Sequence, residues 1–112
     1  MQIELPYPPS SNRYWRKFRN RMVVSDEANA YRQNVAALCL ERRLQPVDGP
    51  VAVSLYIRRP AKRRDIDNHQ KVLLDALQGF AYHNDAQIFR LLATMEDNKK
   101  APGVTVVVEE LN

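Results

Sequence analysis

Cysteine is almost missing from these 112 residues: Cys39 stands alone. No intrachain disulfide is possible, and a cysteine-rich zinc site is excluded with it. Nor does any stretch approach the length of a membrane span, and the opening MQIELPYPPS has no apolar run of signal-peptide length. These absences point away from the membrane and to the cytoplasm. At 13.0 kDa the chain is also too short for a barrel enzyme, a two-halved dinucleotide dehydrogenase or a multidomain machine. The expectation is one domain over 1–112. A hydrophobic fraction of 45% and a charged fraction of 27% suit a folded chain with one modest core, which a dimer would help to stabilise.

The net charge of +4 is unevenly spread. Residues 1–64 hold 13 Lys and Arg against 5 Asp and Glu, whereas residues 65–112 hold 4 against 8. A basic half attracts a polyanion, which leaves the acidic half a different task.

Residues 2–5 (QIEL) read as a short strand stopped by Pro6, Pro8 and Pro9, which cannot continue a ladder. Residues 10–22 follow as a polar, basic loop. Ser25 is a good N-cap, with Asp26 and Glu27 in the first turn of a helix whose apolar face carries Ala28, Tyr31, Val35, Leu38 and Cys39. Arg42 and Arg43 suit its C-terminal end, and 45–50 is a break. Residues 51–57 alternate as a strand with Val51, Val53, Leu55 and Ile57 on one face. A second helix runs from about Asp67 to Gln78, with Val72, Leu73, Ala76 and Leu77 as its stripe and Gly79 as its stop. Residues 87–95 and 104–109 are strands, joined through a turn over 97–103 into an expected hairpin. The order is β-α-β-α-β-β, and the fold class is α+β: a small mixed sheet with two main helices packed on it.

The densest chemistry lies in Arg63-Arg64-Asp65-Ile66-Asp67-Asn68-His69-Gln70-Lys71. Two aspartates two residues apart in extended chain point the same way. Their repulsion is relieved by a cation, and Mg²⁺ takes carboxylate oxygens while keeping waters. Lys71 lies one helical turn after Asp67, placed to neutralise charge on a phosphate or a leaving oxygen. Asp85, in His83-Asn84-Asp85, is a third carboxylate that only tertiary folding can bring in. Simpler uses compete: Asp67 as an N-cap, Asp67–Lys71 as a surface pair worth roughly 0.3–0.5 kcal/mol, and Asp75 as a surface ion-pair partner of Lys71.

Arg13, Arg16, Lys17, Arg19 and Arg21 fall within nine residues, interleaved with Tyr14, Trp15 and Phe18. Cations neutralise phosphates, and aromatic rings stack on unpaired bases. A second basic cluster, Arg58, Arg59, Lys62, Arg63 and Arg64, leads directly into the aspartates. A solvated charged face is the alternative for either run. His83-Asn84-Asp85 lacks the spacing and the histidines of a His-Asn-His nuclease, Asp97-Asn98-Lys99 sits among turn residues rather than in a nuclease strand, and Cys39 fits the core.

In combination these motifs resemble the RusA family of Holliday junction resolvases, small enzymes often encoded by phages and prophages. The likeness runs through Leu5-Pro6-Tyr7-Pro8-Pro9-Ser10, Asn12-Arg13-Tyr14, Ser25-Asp26-Glu27 and Tyr31-Arg32. It is sharpest in Arg64-Asp65-Ile66-Asp67-Asn68-His69-Gln70-Lys71, Leu74-Asp75-Ala76-Leu77 and Asn84-Asp85-Ala86-Gln87-Ile88. The resemblance implies metal-binding aspartates at Asp65, Asp67 and Asp85 and a catalytic lysine at Lys71. It also implies a homodimer, Mg²⁺ or Mn²⁺ dependence, and cutting near CC dinucleotides. The family commonly has two acids before Ala-Gln; here the first is Asn84.

The expected activity is metal-dependent, paired hydrolysis of four-way junction DNA in recombination and repair. A two-fold dimer suits a substrate of approximate two-fold symmetry. A non-enzymatic nucleic-acid-binding module explains the basic half equally well but gives no reason for three acids and a lysine beside it. A structural dimer with solvated basic loops, and a nuclease acting on other branched or single-stranded DNA, complete the alternatives.

Overall fold

The computed structural model describes residues 1–9, 15–60 and 70–111, with the backbone alone at 15 and 16. Strand β1 (Gln2–Leu5) precedes β2 (Trp15–Phe18), β3 (Arg21–Val24) and helix α1 (Asp26–Glu41). Then come β4 (Val51–Arg59), helix α2 (Gln70–Leu77), a 3-10 turn (Asp85–Gln87), β5 (Ile88–Asp97) and β6 (Gly103–Glu110). The main sheet runs β1-β6-β4-β5; β4 and β5 are parallel and the other neighbours antiparallel. It is a mixed sheet with two helices, in the expected order β-α-β-α-β-β, to which a small β2–β3 sheet is added.

Local chemistry explains the elements. Ser25 caps α1 by accepting the Ala28 N–H at 3.2 Å. Ala28, Tyr31, Val35 and Cys39 of α1 and Val72, Leu73, Ala76 and Leu77 of α2 are buried. They pack on Val51, Val53, Leu55 and Ile57 of β4, Val104, Val106 and Val108 of β6, and Ile3 and Leu5 of β1. Truncating one of these large side chains, Leu55 for example, costs roughly 2–5 kcal/mol. Burial raises the pKa of the Tyr31 phenol and of the Cys39 thiol. Cys39 is therefore a core residue and a poor nucleophile.

Two expectations change. The basic loop over 10–22 is partly sheet: Trp15 pairs with Val24 and Phe18 with Arg21, around a turn where Arg19 takes φ 57°. Charged residues there hide strand-prone Trp15, Phe18, Val23 and Val24 from a period-two reading. The last two strands are not a hairpin, because β4 lies between them. Buried along its helix-facing side and at Ala52 on the other, β4 takes the centre of the sheet. The turn after Asp97 holds nonetheless: Asn98 donates its N–H to Arg59 O at 2.9 Å and accepts the Ala101 N–H at 2.9 Å. At its end Gly103 takes φ 155°, and a Cβ there would lie 2.9 Å from the tip of Arg58 (Nη2) and 3.1 Å from Leu5 O, so a side chain is disfavoured.

Candidate active site

Lys71 and Asp85 lie within the described residues; Asp65 and Asp67 lie outside them, with the expected first turn of the second helix. Lys71 is exposed on α2, its Nζ 3.5 Å from Asp75 Oδ2 one turn on. The helix-surface ion pair expected of Asp75 is therefore present.

After α2 the chain turns back sharply. Gly79 donates its N–H to Tyr82 O at 2.7 Å, and the Tyr82 hydroxyl donates to Leu74 O at 2.6 Å. Burial raises the Tyr82 phenol pKa, and the negative charges of Asp85 and Asp75 raise it further.

Asp85 is exposed on a turn anchored at several points. Its N–H donates to Gln78 Oε1 at 3.0 Å. Asn84 caps the turn, its Oδ1 accepting the Ala86 N–H at 2.8 Å. Gln87 completes a capping box: Oε1 accepts the N–H groups of His83 and Asn84, at 2.7 and 3.0 Å. The Gln87 amide donates to Val47 O and Gly49 O, both at 2.8 Å. His83 Nε2 lies 2.8 Å from Asp48 Oδ1. His83 and Asn84 thus hold the turn that carries Asp85. The pattern Asn-x-x-Gln at 84–87 was the available sign of this cap, and nothing local marked Gln78.

Carboxylate oxygens without thiols suit a hard cation, and the Asp85 carboxylate makes no ion pair among the described residues. No group of three His, Cys, Asp or Glu that could hold a metal occurs among the described residues; two of the three candidate ligands lie outside them. Beside Asp75 and Gln78, a groove of about 330 Å³ between the helices is lined by Asn29, Arg32 and Gln33.

The candidate DNA contacts divide. Lys17, Arg19 and Arg21 are exposed on the β2–β3 hairpin, with the Arg19 guanidinium 5.3 Å from the centre of the exposed Phe18 ring. Trp15 and Arg16 belong to β2, while Arg13, Tyr14, Lys62, Arg63 and Arg64 lie outside the described residues. Arg58 is engaged within the fold, donating to Glu4 at 2.8 Å, Thr105 at 2.9 Å and Ala101 O at 3.2 Å. The Thr105 hydroxyl first, and Arg58 after it, lower the Glu4 pKa. Arg59 pairs with Asp97. No helix among the described residues is long and apolar enough to cross a membrane.

Comparison with known proteins gives a concordant result. The family model described as Endodeoxyribonuclease RusA matches residues 6–109. A crossover junction endodeoxyribonuclease RusA of Escherichia coli K12 is 44% identical over 90 residues, which cover 77% of this chain and 74% of the relative. The crossover junction endodeoxyribonuclease of Enterobacteria phage 82 is 43% identical over 90 residues, with the same coverage. That of Shigella sonnei is 42% identical over 90 residues.

Proposed function

This chain belongs to the RusA family of endodeoxyribonucleases, and from that premise we propose how it resolves Holliday junctions with the residues it carries. It is a crossover junction endodeoxyribonuclease that cuts phosphodiesters at four-way DNA junctions. Asp65, Asp67 and Asp85 would together hold Mg²⁺, or Mn²⁺ in its place, whose chemistry is to activate water and stabilise the leaving oxygen.

The protein's own part is positioning and charge. The tethered turn from Asn84 to Gln87 presents the Asp85 carboxylate without having to order it on binding. Lys71 neutralises charge building on the phosphate, with Asp75 holding its ammonium one turn away. Lys17, Arg19, Arg21 and their neighbours hold the DNA arms, and Phe18 offers a face for stacking. The enzyme works as a homodimer, since paired cuts on opposed strands need two equivalent sites.

The observation that carries this reading is the Asp85 turn: a carboxylate fixed by Gln78, Asn84 and Gln87 beside the helix that bears Lys71. Replacing Asp85 by Asn tests it. Junction binding should persist while cleavage is lost; cleavage at the wild-type rate would remove Asp85 from the site.

A further inference from the structure

Helix α1 carries a polar stripe beside its buried one. Asn29, Arg32 and Gln33 follow each other at helical spacing on its exposed surface. Among the described residues their three side chains make no hydrogen bond and no ion pair. They line the groove of about 330 Å³ between the two helices, together with Asp75, Gln78 and Phe80.

The chemistry of this lining selects a ligand. A phosphate offers acceptors only, and the Asp75 carboxylate would repel it. The edge of a base offers donors and acceptors together. The groove answers both: the Arg32 guanidinium donates, the Asp75 carboxylate accepts, and the carboxamides of Asn29 and Gln33 do either. The Gln78 Oε1 is committed to the Asp85 N–H, which leaves its amide nitrogen as a donor. Half-buried Phe80 adds an aromatic wall for the face of a base. The volume lies at the lower end of ligand sites, about 300–1,000 Å³, so it suits one nucleotide and not a duplex. A base that enters must be unpaired, and the open centre of a four-way junction supplies such bases.

Position ties the groove to the candidate site. Asp75 Oδ2 lies 3.5 Å from Lys71 Nζ, and Gln78 holds the turn that carries Asp85 at 3.0 Å. A base bound here is one side chain away from each of the two residues.

We propose that the groove between α1 and α2 is a nucleobase pocket. It takes one unpaired base from the branch point, read by Asn29, Arg32 and Gln33 against Asp75 and Gln78, and so sets which phosphate reaches Lys71 and Asp85. The proposal rests on the resolvase reading above and adds a base contact to it.

The test is binding of labelled four-way junctions to the full chain without metal, with an abasic residue placed in turn at each position beside the branch point. Arg32→Ala and Gln33→Ala change exposed positions of a helix, where alanine is well tolerated. At least one abasic position should weaken wild-type binding by about ten-fold. Each variant should bind the intact junction more weakly, and that same abasic residue should then cost it two-fold at most, because both changes remove one contact. An abasic residue keeps its phosphates, so a wild type indifferent to every abasic position would leave backbone contact alone and overturn the pocket. Variants that lose as much as the wild type at that position would place the base elsewhere and also overturn it. A wild type that binds the junction no better than a linear duplex overturns the resolvase reading and the pocket together.

Discussion

The side-chain oxygen of Gln78 accepts the backbone N–H of Asp85 at 3.0 Å, tying the end of α2 to the turn that presents the carboxylate. Gln87 fastens the other side of that turn to the chain before β4. The turn that carries Asp85 is thus held by side-chain amides on both sides.

Replacing Gln87 by alanine removes four hydrogen bonds at once. With each net bond worth about 1 kcal/mol and several of these exposed, the expected loss of stability is about 1–3 kcal/mol. The Mg²⁺ concentration for half-maximal cleavage should rise as well. Urea unfolding measures the first, and a cleavage titration at a temperature where the variant is folded measures the second. An unchanged metal requirement would make Gln87 structural only.

Asn84 works as a cap in this structure. Asp is an equally good cap, so Asn84→Asp should stay within about 0.5 kcal/mol of wild type, whereas Asn84→Ala should cost about 1 kcal/mol. Thermal melts of the two variants compare them. A large loss in the Asp variant would show that the amide nitrogen matters.

Much of this was legible in the residues. The stripes Ala28/Tyr31/Val35/Cys39 and Val72/Leu73/Ala76/Leu77, the Ser25 cap and the alternation of β4 are short-range patterns, and each is realised. Strand order was not legible, because a turn over 98–102 serves a hairpin or a crossing of β4 equally well. Residue type and spacing made Lys71 a candidate, and the resemblance made Asp85 one. The contacts of Gln78 and Gln87 arise from tertiary folding, which leaves no local period.

Tyr31 and Tyr82 have phenols whose pKa values are raised by burial above the ordinary 10.0. The unfolded chain releases these protons first as pH rises. Their contribution is therefore full below pH of about 10 and is lost progressively above it, toward the raised folded values. Melting temperature should fall steeply over that range. The phenolate absorbance of two of the five tyrosines should appear only with unfolding. Early titration of all five would contradict the buried placement.

Arg16, in the basic hairpin segment, should act through phosphate contact. Arg16→Ala should weaken junction binding and reduce the log–log salt slope by about 0.9. Binding measured across a salt series decides it, and an unchanged slope would remove this segment from the DNA contact.

The most direct measurement is cleavage of a labelled synthetic four-way junction containing CC steps, beside a linear duplex of the same sequence, with Mg²⁺ and with EDTA. Paired, symmetric nicks in the junction alone, abolished by EDTA and by Asp67→Asn, are the predicted result. Tight junction binding with no cutting in Mg²⁺ or Mn²⁺ would contradict the account and leave a nucleic-acid-binding module whose aspartates serve as caps and surface charges.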